Sequence, residues 1–467
     1  MLPVAKRVQS AAQGNLAQGN LAQGDLPQRE LAQRIGLWSH QFSPSPARLA
    51  RIKASIRDFV GCVIAGTHRS ELRSALWLAH GGGVPVWGLA DSFDAAGAAL
   101  VAGTAGSLLQ LHDFYGPGAS HPSSPVIAAA WSALNSCAAN SAYSFVHAVA
   151  AGYEAANRIS DACMPGQILA GSTPTAMSGT FGAAVAAALL HGLDAAGVAR
   201  SVSNAALLLP AAPIAAMRAH GALVPLHAGL AARAGYEASV LARDADAGAG
   251  VLEGDESGPG LIALLGGDAG RIQPEQWSGD TIDSIGWKFF PACFGSHVAL
   301  EAVLRMGRID PGSIQRVIVK QPARLLNMVV ESGPDEGDLY DRLMSLRWVL
   351  ARALEQTAYE YPAAIAASEA TAALAAKIDI VHESLLDASL PHTLCARIEV
   401  QTSVGVRSID YRRPANADPD SPGPHGWSVR LDETMLGKKF DALSDGYGST
   451  SQVLLAMGIT PIDAALP

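Results

Sequence analysis

Apolar residues recur at helical spacing from Leu49 through Ile52, Ile56, Val60 and Val63, directly after Ser45-Pro46. A serine able to accept an amide hydrogen bond, followed by proline at the first helical position, marks a helix start. The pattern therefore predicts that the folded chain opens here with one buried helical face. Alanine-rich stretches at 94–111, 124–138, 141–159, 178–191, 195–209 and 226–243 keep the helical period between short Gly/Pro/Asp turns, which predicts a large all-helical domain over 36–272. Near residue 272 the period changes. Ile314–Lys320 and Ala396–Thr402 read as strands, the second alternating Ile398 and Val400 against Arg397, Glu399 and Gln401, and Val406–Tyr411 is placed to pair with it. With helices expected at 296–307, 336–355 and 362–376, residues 273–411 form a smaller α+β domain. A Pro-rich loop from Arg412 to Gly426 and a helical segment over 440–457 make up the rest, 412–467, and are expected to return to the first domain. The fold class is mainly α with a smaller α+β domain.

Residues 13–34 depart from this pattern. They repeat with period five, as in Gln13-Gly14-Asn15-Leu16-Ala17 and Gln18-Gly19-Asn20-Leu21-Ala22. So few units cannot shield one another as stacked coils do, so residues 1–35 are expected to be a disordered extension.

Composition narrows the function. A chain of 467 residues exceeds one ordinary core, and an apolar fraction dominated by alanine and leucine, with aromatics at 6%, favours packed helices over an all-β fold. A formal charge of -9 without a dense Lys/Arg block gives no footprint for nucleic acid or an anionic membrane. The longest apolar run, Ala205 to Met217, is interrupted by Pro210 and Pro213 and is too short to span a bilayer. Lys6 and Arg7 are followed by polar residues where a signal peptide needs an apolar stretch. Cys62, Cys137, Cys163, Cys293 and Cys395 show no CxxC spacing, so they read as reduced core thiols of a cytoplasmic protein.

Three stretches carry candidate chemistry. The first, His112-Asp113-Phe114-Tyr115-Gly116-Pro117-Gly118-Ala119-Ser120-His121-Pro122, holds two imidazoles, a carboxylate and a phenol in a loop between helices. A metal is not assigned to it, because no further ligand motif recurs; the competing reading is a capped turn built on Asp113. The second, Gly171-Ser172-Thr173-Pro174-Thr175-Ala176-Met177-Ser178-Gly179-Thr180-Phe181-Gly182, enters a helix whose free amides suit a carboxylate. It lacks the GK[ST] ending of a phosphate loop, and tight helix packing through small residues accounts for it equally well. The third is Trp287-Lys288-Phe289-Phe290-Pro291-Ala292-Cys293-Phe294-Gly295-Ser296-His297. It places His297 in a first helical turn, where the dipole favours a neutral, proton-accepting ring or a plain capping role. Cys293 has no assignable neighbouring base and is the weaker nucleophile candidate.

In this order and spacing the three stretches resemble the MmgE/PrpD family, whose members include dehydratases, decarboxylases and an epimerase of organic acids. Pro225-Leu226-His227, Leu252-Glu253-Gly254, Ser345-Leu346-Arg347-Trp348 and Lys438-Lys439-Phe440 support the likeness, which spans roughly residues 36 to 467. The resemblance implies a helical domain built from both chain ends, an inserted α+β lid domain, a site in the cleft between them, a homodimer, and acid–base chemistry on a small-molecule substrate without metal or organic cofactor. Asp113 matches the aspartate opening a DFDDT-like stretch, His121 the histidine of an HP dipeptide, and Lys288 and His297 the groups flanking a YPCC-like segment. These four are the implied catalytic residues, with His112, Tyr115, Thr173, Val224 and Trp348 expected to touch substrate.

The likeness is incomplete. Gly116 and Pro117 stand where an acid and a threonine are expected, Thr173 replaces a histidine, Val224 a lysine and Trp348 a tyrosine. Each charged contact to a carboxylate is commonly worth about 1.5–3 kcal/mol, so losing two implies a substrate less charged than a tricarboxylate. Trp348, off its helix's apolar stripe, is expected to line the cleft and, with Val224, Phe289 and Phe290, to make it apolar. The expected activity is a dehydratase or decarboxylase. Isomerisation, epimerisation or cyclisation on the same groups, or a catalytically silent scaffold role, are the alternatives.

Overall fold

The computed structural model describes residues 30–444 apart from 137–144, 212, 219–222, 331–338, 356–364, 366–367, 391–392, 415–426 and 429–431. Most of the pentapeptide repeat, Cys137, most of the Pro-rich loop and the end of the closing helical segment fall outside those residues.

The larger domain is layered around the helix Pro174–Leu190, every residue of which is buried. A helix apolar on all sides needs neighbours on all sides, and the helices Ser123–Ser136, Phe145–Cys163, Ala195–Leu208 and Leu226–Leu241 supply them. Small residues set the spacing. A Cβ at Gly182 would lie 2.3 Å from the Gly152 carbonyl oxygen, and one at Gly152 would lie 2.6 Å from that of Gly182, so a side chain at either position would force the two helices apart. Gly182 and, against Pro125, Gly179 of the second sequence stretch therefore serve packing, whereas Gly171 has a positive φ (80°) with open space where a Cβ would be. Ser45 accepts from the Arg48 amide at 3.4 Å with Pro46 at the first helical position, and the helix runs Pro46–Thr67.

Two features differ from the sequence pattern. Folded chain begins earlier, because Leu31–Gln41 is helical and buries Leu31, Ala32, Ile35 and Trp38; a boundary at residue 35 cuts this helix. The domain is also not purely helical. Short antiparallel pairs join Gly81–Pro85 to Ser92–Phe93 and Gly254–Asp255 to Gly258–Pro259, where glycine and proline end helices.

In the smaller domain a four-stranded sheet has the order Gly405–Pro414, Thr393–Thr402, Ile314–Gln321, Ile378–His382. The first three strands are antiparallel, with Ile409 opposite Ile398 and Val317 opposite Val400; the last is parallel to its neighbour. Ile398 and Val400 point inward, as their alternation requires. The helices His297–Arg305 and Leu346–Glu355 cover the sheet, and Ser345, bridged to Val330, interrupts what the sequence suggests is one helix over 336–355.

Two connections position the cleft. Phe114–Tyr115, from the large domain's first candidate loop, pairs antiparallel with Ile285–Lys288, which in turn pairs with Trp427–Ser428. The histidine loop and the Lys288 strand are thus held in one small sheet. The helix Glu433–Leu443 returns to pack on Pro46–Thr67, with Phe440 and Leu443 against Gly61. Among the described residues no helix is long and apolar enough to cross a membrane.

Candidate functional site

Between the domains a cleft narrows to an inner chamber of about 80 Å³. Its polar lining comes from Gln110, His112, His121, Thr173, Thr175, His227, Cys293 and Tyr340, and Val224, Met217, Met328 and Met344 are among the residues that close it with apolar surface. The loop from Gln110 to His121 that delivers two of the histidines is conformationally unusual. Gln110 (φ 51°) and Ala119 (φ 50°) both line the chamber in the left-handed region, where a non-glycine residue costs on the order of 1–2 kcal/mol. Strain of that kind persists only where surrounding contacts over-determine it.

Those contacts fix the histidines. His121 takes the Asp113 carbonyl at 2.7 Å on Nδ1. A carbonyl only accepts, so Nδ1 carries the proton and Nε2 is left with its lone pair. The backbone amide of His121 donates to Thr175 Oγ1 at 3.2 Å, tying it to the start of the central helix. His227 is set in the same tautomer by the Val224 carbonyl, 2.5 Å from Nδ1. The His112 ring packs against that of His121, centroids 4.4 Å apart, and its buried Nδ1 has no hydrogen-bond partner among the described residues. Burial holds His112 and His121 well below the ordinary imidazole range, and for His121 the nearby Lys288 charge acts in the same direction. All three rings are therefore poised neutral.

Asp113, Lys288 and His297 do not line the chamber; each is fully buried. Asp113 accepts from the Ser123 amide at 3.1 Å and the Tyr153 hydroxyl at 2.8 Å, and burial pushes its carboxyl up to about 6 against those two bonds. It therefore caps the helix Ser123–Ser136 while its own carbonyl orients His121. Lys288 Nζ (3.4 Å) and His297 Nε2 (3.3 Å) share the Ala292 carbonyl, and among the described residues His297 Nδ1 has no partner. Burial lowers the Lys288 ammonium to about 8, partly offset by Cys293, Cys62 and Asp113. The four implied catalytic groups thus gather in one buried region, since Lys288 is close enough to depress His121, His112 and His297 alike. Only His121 opens on the chamber.

The expected substrate contacts divide similarly. His112, Thr173 and Val224 line the chamber. Tyr115 does not: its hydroxyl donates to Asp161 at 2.7 Å, toward the outer cleft. Trp348 is also elsewhere, 1% exposed in the small domain's core, because its helix is buried nearly all round. Phe290 is likewise in that core, and Phe289 lies beneath Lys439. His227 and Tyr340 line the chamber although no role is expected of them from sequence. Pro225-Leu226-His227 was legible as a motif, whereas nothing local marks Tyr340. Among the described residues, no three His, Cys, Asp or Glu side chains cluster as a metal site.

Fold and site together define a two-domain, predominantly helical protein with a histidine-lined interdomain cleft. Residues 33–269 match the MmgE/PrpD N-terminal domain and residues 290–457 the MmgE/PrpD C-terminal domain. The chain belongs to the MmgE/PrpD family, which includes dehydratases and related enzymes. No curated protein matches it.

Proposed function

We propose that the protein is a cofactor-independent lyase of the dehydratase or decarboxylase type, acting beside a carbonyl or carboxylate of an organic acid less charged than a tricarboxylate. The observation that carries this reading is the tautomer of His121, whose Nε2 lone pair belongs to a neutral ring lining an apolar chamber. In a dehydration His121 takes a proton from carbon, the electron pair passes through an enolate-like state, and the hydroxyl leaves as water with a proton drawn from solvent, to which the ring later returns its own. In a decarboxylation the carbon–carbon bond breaks, carbon dioxide leaves, and the same histidine in its protonated form returns a proton to carbon. The Lys288 ammonium, held nearby without lining the chamber, lowers the energy of the developing negative charge through space. Val224 and Thr173 offer an incoming carboxylate no cation inside the chamber, which favours the less charged substrate.

Incubating the full chain with a panel of hydroxy and unsaturated mono- and dicarboxylic acids in deuterated water tests this. The expected result is deuterium at the carbon next to a carboxylate or carbonyl, with net gain or loss of water or carbon dioxide. Exchange without net change in composition would instead assign isomerisation or epimerisation, and no exchange with any acid would favour a scaffold role.

If the reaction is the dehydration, in which neutral His121 is the base, turnover should be bell-shaped in pH. The acidic limb reports the base. Because burial keeps His121 well below the ordinary imidazole value of about 6.5, activity should persist below that pH and fall only as the ring finally protonates. The alkaline limb reports Lys288, whose charge is lost as pH rises through about 8. Lys288→Met should lower kcat/KM and abolish that limb; an unchanged alkaline limb would remove Lys288 from the mechanism.

A further inference from the structure

The chamber is mostly apolar and its polar groups are uncharged, while the cleft's cations stand outside it. Beyond Ala119, Ile168 and Met328, which the chamber shares with its surroundings, the cleft widens into a space of about 590 Å³ lined by Arg158, Arg271, Arg324 and Asp161. A neighbouring hollow of about 1010 Å³ again includes Arg324. The three arginines are not equivalent. Arg158 is matched by Glu154 at 2.9 Å and by Asp280. Arg271 spends its Nη1 on the Ala162 and Met164 carbonyls, at 3.4 and 3.0 Å, and its charge faces Asp161, which also accepts from Tyr115. Arg324, half-buried on the short helix Ala323–Leu326 of the small domain, has no hydrogen bond or ion pair to its guanidinium among the described residues. A partly desolvated guanidinium with its five donors unmatched is complementary to a planar oxyanion, which it grips with two parallel bonds.

We propose that Arg324 forms an anion subsite at the cleft mouth, assisted by Arg271, which holds a remote oxyanion of the substrate, carboxylate or phosphate, while the reacting end occupies the histidine chamber. This rests on the acid–base reading of the chamber and deepens it. The substrate is an elongated acid, apolar through its middle where Ile168 and Met328 line the passage, and anionic at its far end. Because Arg324 comes from the small domain and Arg271 lies beside the large domain's 162–165 turn, one bound anion would contact both sides of the cleft.

The test is calorimetric binding of the α,ω-dicarboxylates from succinate to sebacate, of ω-phosphonocarboxylates of matching length, and of the corresponding monocarboxylates, to wild type, Arg324→Gln and Arg324→Lys. In wild type, affinity for the doubly anionic series should rise once the chain is long enough to reach both places, with the tighter of the two series identifying the distal group. Arg324→Gln should weaken the long members by about tenfold or more and leave monocarboxylates unchanged, while Arg324→Lys should recover part of the loss. Melting curves confirm that both variants fold. Equal affinity for mono- and dianions, no binding of any series by wild type at millimolar concentration, or indifference to Arg324→Gln would overturn the subsite. Deuterium exchange in the same samples separates the two readings. Exchange without dependence on Arg324 overturns the mouth alone, and Arg324-dependent binding without exchange overturns only the acid–base role of the chamber.

Discussion

Lys439→Met is expected to destabilise the protein by about 3–5 kcal/mol, the range found when one partner of a buried ion pair is removed. Lys439 Nζ lies 2.5 Å from Asp58 Oδ1 and 2.8 Å from the Leu111 carbonyl, with the two side chains only 7% and 1% exposed. The pair ties the returning helix Glu433–Leu443 to Pro46–Thr67 and to the chain just ahead of His112. Its charges do not make it strong. Burial raises the Asp58 pKa despite the attraction of Lys439, so the carboxylate is harder to hold here than in water. The methionine variant would leave that carboxyl without the ammonium that bonds it, and the sign of the pH dependence follows. A carboxyl whose folded pKa lies above its unfolded value gives stability that is complete below the unfolded pKa and lost as pH rises through the folded one. The stability gap between Lys439→Met and wild type should therefore widen as pH rises above the ordinary aspartate value of about 3.9 in chemical denaturation, and Asp58→Asn in the same background should close most of it. A gap independent of pH would mean that the loss comes from packing rather than from a stranded charge.

Local signals carried most of the architecture and only part of the site. Ser45-Pro46 starts its helix by a side-chain-to-amide bond that needs no distant partner, and Ile398 and Val400 set the burial of their strand by alternation alone. The helix Leu31–Gln41 was hidden because the five-residue repeat runs into it, although Leu31 and Ile35 are spaced to share a face. Ile378–His382 is short, and its parallel partner lies a whole crossover away, so nothing beside it in the chain announces a strand. The site follows the same division. Asp113, His121, Lys288 and His297 were found through motifs, and they do gather, but which of them reaches the cavity depends on rotation about helices and on what covers each face. Trp348 shows why a stripe is not enough: residues off an apolar stripe face solvent only if no other element covers them, and here the small domain's core does. Tyr340, eight residues away across the break at Ser345, lines the chamber in its stead.

His121→Asn should reduce turnover, and the deuterium exchange that reports it, by roughly two to four orders of magnitude, the usual contribution of a positioned acid–base group. Asparagine is the informative replacement because its amide can still donate to the Asp113 carbonyl while offering no basic nitrogen toward the chamber. The loop, with its left-handed Gln110 and Ala119, should then keep its shape, and melting temperature and circular dichroism should match wild type. The loss should appear in kcat rather than KM, since a ring lost as a base leaves binding by Met217, Val224 and Met328 in place. His227→Asn provides the internal comparison. That ring also lines the chamber with its Nδ1 committed to a backbone carbonyl, but among the described residues no imidazole stacks on it as His112 does on His121, and burial rather than Lys288 lowers its pKa. If His227→Asn abolished exchange while His121→Asn spared it, the proton would belong to the Pro225-Leu226-His227 segment; if both variants exchanged normally, the three neutral imidazoles would be chamber walls and no more.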